Sequence, residues 1–195
     1  YKYHAKPTEN ADYLIGKPGA RTLAEVKLFL VHQFTYVGAP QIWSGDELGM
    51  WGADDPDCRK PLIWPDLAFD DEKIHLLPGQ ARQPEPVVAD TALLAFYRQL
   101  IALRHVLPAL RQGEFQVLRA DDATMTLAYA RRTAEQEVIV AFNRSDAVQR
   151  FSVPLQGNAT YQNALDPART YKAEEQALRL ELGPLECVVL VADAI

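Results

Sequence analysis

The spacing of apolar positions changes once along this chain, near residue 112. Residues 1–20 are polar and interrupted by Pro7, Gly16, Pro18 and Gly19, which predicts an irregular loop. Thr22 stands three residues before Glu25, the pattern of a reciprocal capping box with Thr22 at the N-cap. Leu23, Val26, Leu28, Phe29, Leu30, Val31 and Phe34 follow, dense enough for a largely buried helix that stops near Tyr36, before Gly38 and Pro40. The short run Gln41-Ile42-Trp43-Ser44, between Pro40 and Gly45, reads as one buried strand. A strand wedged between helices points to a βα unit of a parallel sheet. Residues 45–90 form a long connection rich in Asp and Pro, a length that is usually functional. Asp90 is placed to cap a second helix, with Leu93, Leu94, Phe96, Tyr97, Leu100, Ile101 and Leu103 on its apolar face and an end near Leu107-Pro108.

From Gly113 onward the period becomes that of strands. Seven are expected, at residues 115–118, 125–130, 138–142, 148–153, 160–163, 178–182 and 187–191, with turns at Asn143-Arg144-Ser145-Asp146 and Gln156-Gly157-Asn158. That spacing predicts an antiparallel β-sandwich. The expected fold class is therefore mixed, with an α/β fragment over residues 1–112 and an all-β antiparallel sandwich over residues 113–195. One parallel strand cannot satisfy its own backbone, so residues 1–112 read as the last unit of a larger fold whose other units lie upstream. The start at Tyr1-Lys2-Tyr3-His4, neither an initiator Met nor a signal peptide, fits that reading. The alternative is a small α+β domain with a further strand hidden in residues 1–20.

Composition narrows the partners. With 48% hydrophobic and 24% charged residues a buried core is feasible. A net charge of -6 and a pI near 5.2 repel phosphates and anionic lipid, so nucleic acid and membrane surfaces are excluded as partners, and a neutral sugar fits better. No apolar run approaches the ~20 residues that span a bilayer. Cys58 and Cys187 read as free thiols.

The chemistry concentrates after the expected strand. Gly38-Ala39-Pro40-Gln41-Ile42-Trp43-Ser44-Gly45-Asp46-Glu47-Leu48-Gly49-Met50 is followed by Asp54-Asp55-Pro56-Asp57-Cys58-Arg59-Lys60-Pro61-Leu62-Ile63-Trp64. A buried strand that ends in a glycine turn and then presents carboxylates and an arginine is how α/β barrels build binding sites. This stretch resembles the eighth strand and following loop of glycoside hydrolase family 13, the α-amylase family, and is most similar to its cyclomaltodextrinase, neopullulanase and maltogenic amylase branch. Phe96-Tyr97-Arg98-Gln99-Leu100-Ile101-Ala102-Leu103-Arg104 resembles the family's last barrel helix. Ala141-Phe142-Asn143-Arg144-Ser145 and residues 182–190 resemble strands of its C-terminal sandwich.

The resemblance implies the last βα unit of a (β/α)8 barrel followed by the sandwich. It implies that Asp55 and Arg59 hydrogen-bond glucose hydroxyls, which agrees with a carboxylate that accepts and a guanidinium that donates in a planar fork. The plain alternative is a local ion pair that shapes the loop. Trp51 is a candidate to stack on a sugar face, whereas Trp64 is expected to brace the loop. Asp46 and Glu47 are adjacent and point different ways, so the two-carboxylate geometry of a glycosidase is not expected there. The family's catalytic carboxylates lie on earlier strands. The last belongs to an N-H-D or S-H-D motif, and here His4 precedes Ala5 and His32 precedes Gln33. Ser44 departs from the family's usual Tyr.

Asp54, Asp55 and Asp57 lack the ordered spacing of a calcium loop and the four histidines are scattered, so no metal or cofactor is expected. Two functions follow. One is the C-terminal portion of a retaining α-glucan hydrolase, or of a transglycosylase of the same family, acting on maltooligosaccharides or cyclodextrins, with the isolated chain inactive and a homodimer admitted. The other is a non-enzymatic sandwich that caps a barrel or binds glucan. The preferred glucan stays open; a bacterial-type cytoplasm or periplasm is the expected compartment.

Overall fold

A computed structural model describes residues 8, 10, 12–53, 55, 57–155 and 159–192. The expected turn at residues 156–158, Asp54 and most of the first eleven residues lie outside that set. Two compact units interleave along the chain. One holds the described residues up to Ala20 together with Gln41–Tyr97, and the other holds Arg21–Pro40 and the described residues from Arg98 onward.

The second unit is built on eight antiparallel strands, β1 (Glu114–Asp121), β2 (Thr126–Arg132), β3 (Glu137–Asn143), β4 (Gln149–Pro154), β5 (Thr160–Asn163), β6 (Thr170–Glu174), β7 (Ala177–Leu182) and β8 (Glu186–Ala192). Their order is β1-β2-β3-β8-β5-β6-β7-β4, and β1 comes back against β4, so the sheet nearly closes on itself. The sandwich expectation holds, with one strand more than the pattern predicted. β6 buries fully only Ala173, which hides its alternation. Its hairpin to β7 turns at Glu175 and Gln176, both with positive φ (53° and 60°), where an Asn-Gly pair would ordinarily announce the turn.

Strands β4 and β7 alternate buried and exposed, as one-sided strands do, and supply Phe151, Val153, Leu178, Leu180 and Leu182 to the interior. β2 and β3 are buried almost without interruption because both of their faces are covered. Ala128, Ile139 and Ala141 face the sandwich core. Tyr129, Arg131, Val140 and Phe142 point the other way, under two helices of the same unit, α1 (Ala20–Thr35) and α3 (Pro108–Gln112). Tyr129 Oη lies 2.6 Å from Thr35 Oγ1, and the His32 ring packs edge-on to Tyr129. Burial pushes the Tyr129 phenol far above its ordinary pKa.

Arg131 joins these pieces. Its side chain is 2% exposed and donates to the carbonyls of Thr35 (2.9 Å), Tyr36 (2.8 Å), Leu110 (3.0 Å) and Gly113 (2.9 Å). These acceptors are the carbonyls at the C-terminal ends of α1 and α3, where the helix dipoles are negative. Asn143 plays the corresponding part at the other end of β3, donating to Ala147, Leu182 and Gly183 carbonyls and accepting from Ser145.

Three expectations are corrected. Helix α1 begins at Ala20, so Thr22 and Glu25 sit inside it and form no capping box at Thr22. Its burial is one-sided, with Leu28, Leu30, Val31 and Phe34 covered and Phe29 67% exposed. Residues 41–44 form no strand, and Ile42 is 39% and Trp43 69% exposed; a strand needs a partner for its backbone, and among the described residues no strand is a ladder neighbour of this segment. The second helix, α2 (Thr91–Val106), starts as expected, with Asp90 Oδ1 accepting the Leu93 N–H at 2.8 Å. The short α3, opened by Pro108 at its first turn, adds a helix that the apolar spacing does not announce.

Arg131→Ala would leave four carbonyls without this donor, a loss of about 3–5 kcal/mol in unfolding free energy. Urea denaturation followed by far-UV circular dichroism should show a lower midpoint, whereas Arg150→Ala, at an exposed pair with Glu181 (2.7 Å), leaves the midpoint where it is.

Candidate functional site

The first unit is organised by the turn that follows residues 41–44. Gly45 (φ 100°) and Gly49 (φ 69°) flank a single 3-10 turn, Asp46–Leu48, which inserts Leu48 as a fully buried anchor. Both glycines adopt the left-handed backbone that other residues avoid. Glu47 folds back so that its carboxylate accepts the Gly45 N–H at 3.0 Å. Asp46 is desolvated and lies beside Glu47, and both effects raise its pKa. Burial, reinforced by Asp46 and Glu47, lifts the Tyr97 phenol to about 12. The Leu48 carbonyl accepts the Asp90 N–H at 2.9 Å, and this bond closes the long loop at its base.

Within that loop, Asp57 Oδ2 accepts the Ala53 N–H at 2.7 Å and so closes a tight turn. A Cβ on Gly52 would lie 3.0 Å from the Asp57 carbonyl oxygen, which is why the turn needs glycine there. Asp55 and Arg59 stand on this turn as an ion pair at 2.5 Å, their side chains 54% and 76% exposed. The structure brings them together, and both side chains are exposed. Cys58, between Asp57 and Arg59 in the chain, is exposed and free. Trp51 lies to one side, with Lys17 Nζ 4.9 Å from its ring centre and its indole Nε1 buried without a hydrogen-bond partner among the described residues. Trp51 lines a cavity of about 250 Å3 together with Met50, Lys60, Ile63, Phe69 and Glu72. Asp55 and Arg59 do not line it. Trp64 is 45% exposed.

Sequence reasoning missed the charges under the turn. Lys60 Nζ lies 2.8 Å from Glu72 and 3.4 Å from Asp57. Arg82, 5% exposed, pairs with Glu85 at 2.7 Å and donates to the Ile15 carbonyl at 2.9 Å. Glu72 and Glu85 exchange two backbone hydrogen bonds of 2.9 Å, an isolated antiparallel bridge. Burial alone would raise both carboxyls. For Glu72 the Lys60 ammonium, the Ile74 N–H and Arg82 together outweigh it, and for Glu85 the Lys17 N–H and Arg82 do, so both titrate below their ordinary value. These partners are 12 or more residues apart or lie in irregular backbone, so no sequence period marks them. Among the described residues no group of three or more His, Cys, Asp or Glu is placed to hold a metal ion, and no helix is long and apolar enough to cross a membrane.

Residues 115–189 match the family described as Maltogenic Amylase, C-terminal domain. The chain carries the C-terminal domain of a glycoside hydrolase family 13 protein. It is 30% identical over 170 residues to a cyclomaltodextrinase of Geobacillus thermopakistaniensis, covering 87% of this chain and 26% of that protein. It is 32% identical over 169 residues to neopullulanase 2 of Thermoactinomyces vulgaris, covering 86% and 25%. A solved structure of a cyclomaltodextrinase superposes with a TM-score of 0.68 at 26% identity, covering 90% of this chain and 26% of that one. The chain thus spans about a quarter of the length of the relatives it matches.

Trp43, Trp51 and Trp64 all belong to the first unit, so tryptophan emission reports on it alone. Glu72 and Glu85 have depressed pKa values, so their stabilising contribution is complete above 4.5 and is lost as pH falls through their folded values. In an acid titration, tryptophan emission should shift below pH 4.5 while the far-UV dichroism of the sheet persists, because its depressed carboxylates Asp146 and Glu181 sit in exposed pairs and Asp121 accepts the Thr124 and Ala123 N–H groups of its own hairpin turn.

Proposed function

We propose that this chain is the C-terminal portion of a retaining α-glucan hydrolase that cleaves α-glycosidic bonds of maltooligosaccharides or cyclodextrins. In this reading residues 1–112 are the C-terminal fragment of its catalytic (β/α)8 barrel, residues 113–195 form its C-terminal domain, and the catalytic carboxylates lie elsewhere in the protein. A transglycosylase of the same family would use the same parts, with a sugar in place of water as acceptor. The names cyclomaltodextrinase and neopullulanase among the relatives support the substrate class.

The observation that carries the reading is the Asp55–Arg59 ion pair, with both side chains open to solvent. Exposed ion pairs contribute about 0–1 kcal/mol to stability, so holding this pair ready for a ligand costs the fold little. The carboxylate lone pairs can accept from sugar hydroxyls and the guanidinium N–H groups can donate to them. In the whole enzyme such contacts would hold a glucosyl unit beside the nucleophilic Asp and the acid Glu. Trp51 supports this as an amphipathic wall beside the turn. Asp46 and Glu47 take no catalytic role in this reading; Glu47 is committed to the Gly45 N–H.

For residues 113–195 the capping role is favoured over glucan binding. Binding needs exposed aromatic faces, and Tyr129 and Tyr161 are buried while Tyr171 is half-buried.

The pure 195-residue chain should not turn over a maltooligosaccharide; measurable turnover refutes the proposal that the catalytic carboxylates lie elsewhere. In the full-length enzyme Asp55→Ala should lower kcat/KM by about tenfold or more without unfolding the protein. An unchanged kcat/KM removes Asp55 from the site.

A further inference from the structure

The Asp55–Arg59 turn rests on a line of half-buried charges that runs back into the loop. Asp57 closes the turn by accepting the Ala53 N–H, and Lys60 reaches Asp57 at 3.4 Å. Lys60 in turn pairs with Glu72 at 2.8 Å. Glu72 faces Arg82 at 3.7 Å, and Arg82 is tied to Glu85 and to the Ile15 carbonyl. Glu85 accepts the Lys17 N–H at 2.6 Å. Asp57, Glu72 and Lys60 side chains are 10%, 16% and 25% exposed, against 54% and 76% for Asp55 and Arg59. Partly buried pairs are screened far less than exposed ones, and several that share partners act together. The rigid part of this loop is therefore the charge line beneath the turn, and the exposed pair rides on it.

We propose that Lys60, Glu72 and Arg82 are positioning residues that hold the Asp55–Arg59 turn in the geometry in which it meets a glucosyl unit. This rests on the sugar-contact reading given above for Asp55 and Arg59. The line does not touch sugar itself. It fixes Asp57, and Asp57 fixes the backbone on which the two sugar-contact residues stand. Glu72 also lines the Trp51 cavity, so one carboxylate sets both the turn and the wall beside it.

Amide hydrogen exchange in the 195-residue chain tests the mechanical half. The Ala53 N–H reports the turn, and the N–H of Val140, buried in β3, reports the sheet. Glu72→Gln and Lys60→Met should each speed exchange at Ala53 at least tenfold and leave Val140 as it was. Lys60→Arg, which keeps a cation between Asp57 and Glu72, should retain most of the protection. Unaltered Ala53 exchange in the single variants overturns the proposal. If a single variant also loosens Val140, Lys60→Arg decides: retained protection at Ala53 supports the line, and a loss equal to that of Lys60→Met overturns it.

Steady-state kinetics of the full-length enzyme test the functional half. Glu72→Gln should raise KM for a maltooligosaccharide about fivefold with kcat nearly unchanged, and should add nothing in an Asp55→Ala background. A full further loss in that background overturns action through the turn. Asp55→Ala without effect on kcat/KM sinks the sugar-contact reading instead, and hydrogen exchange at Ala53 then decides for or against the charge line alone.

Discussion

Arg131 is a buried cation, and among the described residues no carboxylate is paired with it. Its charge is met by carbonyls at the ends of two helices and by the peptide after each. A guanidinium suits this position because its donors lie in a fixed fork and it stays charged when desolvated. Burial lowers its pKa, and Arg104 lowers it further. The constraint it satisfies is general to this architecture. β2 and β3 are apolar on both faces, so the second face must be covered, and the cover is helical. Helix ends carry unpaired carbonyls into that interface, and a buried donor has to meet them.

Arg104 repeats the device at the surface, donating to the Phe34 carbonyl at 2.8 Å and also to that of Gly38. Two arginines thus secure the C-terminal end of α1. The first unit uses a different solution. It has little regular structure, so its backbone groups are met by local turns and side chains. Leu48 and its carbonyl close the loop against Asp90, and the charges from Asp57 to Glu85 order what lies between. A loop held by ion pairs has an acid-sensitive support, whereas a sheet held by apolar burial does not. The two parts of the chain are therefore expected to respond to different conditions.

The family assignment and the chemistry meet in one short stretch. The C-terminal domain explains where residues 115–189 belong, and it carries no exposed aromatic platform on Tyr129 or Tyr161. The polar groups suited to a sugar sit in the loop before it. Asp55 and Arg59 are legible in the sequence because they lie four residues apart on one turn, where local spacing is enough to predict a meeting. Lys60, Glu72 and Arg82 are not, because their partners meet through the folding of an irregular loop, which leaves no period to read.

What the sequence by itself determined is what depends on neighbours along the chain. The change from helical to alternating spacing at Gly113, the cap at Asp90, the glycines around Asp46–Leu48 and seven of the eight strands were all legible, because each is a local pattern with a local cause. Tertiary structure decided the rest. Whether Gln41-Ile42-Trp43-Ser44 becomes a strand depends on a partner strand, and here these residues take no strand conformation. Whether Glu175-Gln176 turns a hairpin depends on β6 and β7 already pairing strongly enough to hold two residues at positive φ. And an arginine in the middle of an apolar strand looks like an interruption until two helix ends fold over it, since only the folded chain brings those carbonyls to its guanidinium.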